Sequence, residues 1–180
     1  MIEKIRTADM ETGWVERGSI YLRNLMPFMT ILILVIASVL PWHIPGLAPV
    51  TPAFSLMAVY YWAIYRPEKL PYIATFTAGL LQDILSGGPI GMSALVLVLV
   101  HGVVRSQRSF FHGKPFLVIW WGFSIVAPVA AAVGWSAASI YYGLLVPPIP
   151  LIVHVVLTIL LYPFIGFVMT KIHNTMLARA

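Results

Sequence analysis

The sequence predicts an all-α, polytopic membrane protein with six transmembrane helices and both termini on the cytoplasmic side. Three observations predict this. First, 60% of the 180 residues are hydrophobic and only 9% are charged. A soluble domain carries about 25% charged residues, so this chain cannot cover itself with polar surface. Second, apolar runs punctuated by proline and glycine fill the chain, and about 20 apolar residues cross a bilayer. Third, the 11 Lys and Arg residues all fall in alternate connections. Four lie in the N-terminal tail, two between the second and third helices, three between the fourth and fifth, and two in the C-terminal tail. Basic residues resist translocation, so this alternation selects six helices with cytoplasmic ends.

The net charge of +5 is explained by the same orientation rule. A nucleic-acid surface would need clustered Lys and Arg with exposed aromatics, and neither is present. There is no cysteine, which excludes disulfides and thiolate metal sites and leaves the redox compartment undetermined.

Residues 1–23 form a cytoplasmic tail in which four acids and four bases cancel. No small-residue cleavage site follows an early apolar core, so this is not a secretory signal peptide. Trp14, Gly18, Tyr21 and Leu25 share a helical face, which suggests an interfacial helix; a disordered tail is the competing reading. Residues 24–170 form the transmembrane domain. Its first helix covers Asn24 to Leu40 and stops at Pro41, with Trp42 and His43 in the following connection. The second starts at Gly46 or Pro52 and ends at Tyr65, before the charged turn Arg66-Pro67-Glu68-Lys69. The third runs from Pro71 to Ser86 and is broken by Gly87-Gly88-Pro89; the fourth runs from Pro89 to Val104. A polar loop follows with Arg105, Arg108, His112 and Lys114. The fifth helix runs from Pro115 to Tyr142, with a kink expected at Pro128, and the sixth from Pro148 to Thr170, with another at Pro163. Residues 171–180 form a second cytoplasmic tail.

Asp83 is the one carboxylate inside a hydrophobic run. It lies twelve positions after Pro71, roughly 18 Å along the helix axis, past mid-membrane toward the outer side. A carboxylate there costs about 2.5–3.5 kcal/mol and defaults to a functional-site hypothesis. Its helix carries a small and polar stripe: Ala74 and Thr75, Ala78 and Gly79, Gln82 and Asp83, Ser86 and Gly87. Such a stripe admits a close helix contact, within the chain or with a partner. The packing reading is favoured over a substrate or proton site. Candidate partners for Asp83 are His154, nearer in depth, and His101, with Gln82, Thr75, Ser93, Tyr60 and Tyr61 as neutral options. With no Lys or Arg at that depth, a protonated Asp83 donating a hydrogen bond is conceivable. Ala130, Gly134 and Ala138 form a second small-residue face on the fifth helix. The histidines make no i, i+4 pair, no nucleophile or phosphate-binding motif is present, and no second embedded carboxylate supports acid–base work. No enzyme activity, cofactor or metal is expected.

The run Pro52 to Pro71, PAFSLMAVYYWAIYRPEKLP, and the run Ala78 to Leu95, AGLLQDILSGGPIGMSAL, resemble the bacterial rod shape-determining MreD family. The likeness centres on the tyrosine-tryptophan run, Arg66-Pro67, Gly79-Leu80-Leu81 with Asp83, and Pro89 with Gly91. It implies a non-enzymatic inner-membrane component of the cell-elongation machinery. Expected partners are MreC, MreB filaments, and the peptidoglycan glycosyltransferase and transpeptidase, within the lipid bilayer; self-association stays open. The implied six-helix arrangement is similar to the substrate-binding subunits of vitamin transporters, which supplies an alternative: a small-molecule binding subunit.

Overall fold

The computed structural model describes residues 25–40, 51–111, 113–145 and 147–177. The expected interfacial helix, Trp42, His43, His112 and Arg179 lie outside these residues. The described chain is all helical, without strands. Helix α1 is Leu25–Val39, α2 Phe54–Tyr65 and α3 Tyr72–Ser86. Next come α4 Met92–Ser106, a single turn α5 Arg108–Phe111, α6 Phe116–Tyr142 and α7 Pro148–Leu177. A 3-10 turn, Pro67–Lys69, joins α2 to α3. The fourth expected helix loses its first three residues, because Gly91 takes a left-handed φ of 97° and belongs to the turn. The sixth runs on past Thr170 to Leu177. Both α6 and α7 continue as helices through Pro128 and Pro163.

Two helical segments are long and apolar enough to cross a bilayer, Phe116–Tyr142 and Pro148–Asn174; α1, α2 and α4 are apolar but shorter. The difference in length organises the bundle. Helix α2 has 12 residues, about 18 Å, and every residue from Phe54 to Ile64 is buried. It is apolar all round, as a helix enclosed by others must be. It packs against α4 and α7, while α3 packs on α4 and α6 bridges α4 and α7. Its attachment to α1 is polar: the Trp62 indole N–H donates to the Thr30 hydroxyl at 2.8 Å.

Aromatic packing fills the core at the middle of α2. Tyr60 contacts the rings of Phe111, Phe123 and Tyr162, and its hydroxyl donates to the Ile119 carbonyl of α6 at 3.0 Å. The basic connections gather at one end. Arg108 lies 3.7 Å from Glu68, and His173 of α7 stacks on Trp62 near the end of α2.

The tightest helix pair is α3 with α4. A Cβ placed on Gly79 would come within 2.4 Å of the Ala94 Cα, which is backbone and cannot swing away. Gly134 on α6 differs: a Cβ there would sit 3.6 Å from Val96 Cγ2, an ordinary contact. Gly79→Ala is therefore expected to lower the melting temperature of the detergent-purified protein, by an overpacking cost of about 1–3 kcal/mol. Gly134→Ala should leave it near wild type. Equal melting temperatures for the two variants would refute the close α3–α4 approach.

Candidate functional site

Helix α3 ends on Gly87, whose φ of 69° is left-handed, and the chain returns to α4 through Gly91. The first turn of any helix leaves backbone N–H groups without partners. In α4 two of them are taken by the side chain of Asp83 on the neighbouring helix. The Gly91 N–H donates to Asp83 Oδ2 at 2.8 Å, and the Ser93 N–H donates to Oδ1 at 2.9 Å. Asp83 is only 2% exposed. The carboxylate thus faces the positive end of a helix dipole and accepts on both oxygens. Hydrogen bonds to a charged group contribute about 1.5–3 kcal/mol each, the same scale as the insertion cost of a carboxylate.

This corrects the expected partnership of Asp83 with a histidine. His101 is fully buried on α4, but its Nδ1 lies 2.8 Å from the Thr75 hydroxyl, and its ring stacks on Tyr72 at 4.6 Å. Arg105 lies over the other end of this group, 5.4 Å from the Tyr72 ring centre. His154 on α7 instead donates from Nδ1 to the Thr51 carbonyl at 2.6 Å. A donor role for Asp83 has no place either, since both its partners are N–H donors. The depth argument failed because it considered only side chains as partners.

The stripe on α3 faces α4: Thr75, Ala78, Gly79 and Asp83 are its buried residues. Gln82 stands beside Asp83 with a buried Oε1 that has no hydrogen-bond partner. A Cβ on Gly87 or Gly91 would meet nothing within 4 Å, so these glycines answer a backbone requirement rather than a packing one. On α6, Ala130 and Gly134 line a cavity with Gln82 and His154, while Ala138 is half-buried nearby on the helix.

A second set of polar side chains includes one residue singled out from the sequence, His154, and two that were not, Ser38 and Thr158. Helix α2 begins inside the bundle, so its flanking backbone groups also need partners. The Ala53 N–H donates to the Thr158 hydroxyl at 3.1 Å, and the Ser55 N–H donates to the Ser38 hydroxyl at 3.3 Å. With His154 on Thr51, these side chains close the N-terminal end of α2. The spacing of His154 and Thr158, four apart on one helix face, was the available signal.

Among the described residues no three His, Asp or Glu side chains come together as a metal site. The arrangement is that of an α-helical integral membrane protein whose embedded polar groups serve backbone closure. The family model for rod shape-determining protein MreD matches residues 19–172, and the chain belongs to that family. No curated protein and no solved structure matches.

Asp83→Leu leaves two part-buried N–H groups without this acceptor and is expected to destabilise the purified protein by about 1–3 kcal/mol. Asp83→Asn keeps one acceptor and should fall between. Thermal unfolding, with amide hydrogen exchange at Gly91 and Ser93, measures both. Unchanged exchange at these two amides in Asp83→Leu would refute the cap.

Proposed function

We propose that this chain is a non-enzymatic, six-span component of the bacterial inner membrane that maintains rod shape by binding MreC and linking MreB filaments to peptidoglycan synthesis. A role in rod-shape determination follows from the family. The finer reading draws on the likeness of the 52–71 and 78–95 runs, and on the basic end of the bundle, which suits a cytoplasmic face. The single structural observation that supports it is the state of Asp83. Its oxygens are both engaged by backbone amides, so this carboxylate holds a helix pair together rather than standing ready for proton transfer.

The partner-binding role suggested by the small-residue stripe on α3 moves elsewhere in this reading, because α4 occupies that stripe. What remains for partner helices is the outward face of α6, where Leu117, Trp121, Ile125 and Val129 recur every four residues and are exposed. The alternative of a vitamin-type transporter subunit draws on the cavity beside Gln82 and His154. At 240 Å³ it is below the about 300–1,000 Å³ usual for ligand pockets, which places this alternative second.

The test is a chain carrying Trp121→Ala, Ile125→Ala and Val129→Ala, produced at wild-type level in cells lacking the native protein. Reduced recovery of MreC with the tagged chain, and loss of rod shape, are expected. Normal MreC recovery and normal rods would overturn the α6 surface. Failure of the unsubstituted chain to restore rods would overturn the function itself.

A further inference from the structure

The cavity of 240 Å³ lies where the short α2 stops between longer neighbours, bounded by α1, α2, α3, α4, α6 and α7. Among the described residues its wall contains no Asp, Glu, Lys or Arg. On the α6 side the wall is made of Ala127, Ala130, Ala131 and Gly134. Ala127 and Ala130 are packed in the core, but Gly134 is not small to let α4 approach: a Cβ there would make only ordinary contact with Val96, so its effect is to leave space.

One hydrogen-bond acceptor of the wall has no partner among the described residues. His154 Nδ1 is 2.6 Å from the Thr51 carbonyl. A carbonyl only accepts, so Nδ1 carries the hydrogen and Nε2 presents a lone pair. No described residue bonds that Nε2. The Gln82 Oε1 is also unpaired, but it is buried away from the cavity space. Buried polar atoms are normally satisfied by protein, water or a bound molecule. The wall also holds the hydroxyl side chains of Ser38, Ser55, Ser93 and Thr158, and is otherwise mainly apolar, with Leu56, Val96 and Leu151 and one indole, Trp135. A dry apolar cavity of about 150 Å³ holds benzene, so the present volume suits a molecule somewhat larger, on the scale of two fused rings.

We propose that this cavity is a binding site for a compact, uncharged, ring-sized molecule that carries an N–H or O–H donor, which it gives to His154 Nε2. The site does not depend on the role of the chain in cell shape. A charged ligand is disfavoured because nothing in the wall balances its charge.

Indole and indene make the test, since they share a shape and only indole has the N–H. Binding to the full-length protein in detergent would be followed by thermal shift and by equilibrium dialysis. Saturable binding of indole is expected, with indene weaker by about tenfold, the scale of one hydrogen bond. His154→Phe removes the Nε2 lone pair and should weaken indole while leaving indene unchanged. Gly134→Leu should fill the space and abolish binding of both. Equal affinities for indole and indene, no binding of either, or indole binding unaltered by both variants would overturn the proposal and leave the cavity to water. The comparison of indole with indene on the unsubstituted protein carries the test if a variant does not fold.

Discussion

The bond between the Asp83 carboxylate and the first turn of α4 is the constraint from which most of this structure follows. A helix that starts against a neighbouring helix presents first-turn N–H groups that are only partly open to water. An aspartate eight and ten residues earlier in the chain supplies both acceptors at once. That geometry requires α3 and α4 to lie almost in backbone contact, which Gly79 against Ala94 permits. It also requires a turn tight enough to return the chain, which the left-handed Gly87 and Gly91 provide. The small stripe, the two turn glycines and the isolated charge are therefore parts of one device.

The short α2 faces the same problem and solves it differently. Its N-terminal surroundings take acceptors and a donor from two other helices: Ser38 on α1, and His154 and Thr158 on α7. These bonds tie the most buried helix to helices far away in sequence. Neutral side chains suffice there because each bond serves a single backbone group. The short helices leave room beside the longer α6 and α7, and the cavity occupies that room.

Several embedded polar groups are spent on internal closure, while Gln82 Oε1 and His101 Nε2 are buried without a hydrogen-bond partner. The polar groups at the basic end follow the same pattern. His101, Thr75, Tyr72 and Arg105 form a chain from the buried interior to the charged loop, which lets a histidine sit at full burial on α4. The surfaces left facing outward on α6 and α7 are apolar, as contact with lipid or with other membrane helices demands.

Composition and patterning alone determined a great deal about this protein. Charge content, proline punctuation and the placement of Lys and Arg were enough for the helical class, nearly all helix limits and the gathering of basic residues. Each is a local property, set by the solvent that a segment can tolerate. Asp83 and its stripe also stood out, since a lone carboxylate in an apolar run has a cost that something must offset. Which group offsets it was decided only by the tertiary structure. Backbone N–H groups are the same at every residue, so no side-chain pattern marks the two that Asp83 reaches. For the same reason the roles of His154, Thr158 and Ser38 were hidden: their partners are backbone atoms of a helix whose starting point folding sets. The small residues of α6 show the limit most plainly. Ala130 and Gly134 have the spacing of a close helix contact, yet whether such spacing closes a gap or leaves one depends on the size of the facing side chain, here Val96, and on where the neighbouring helix ends.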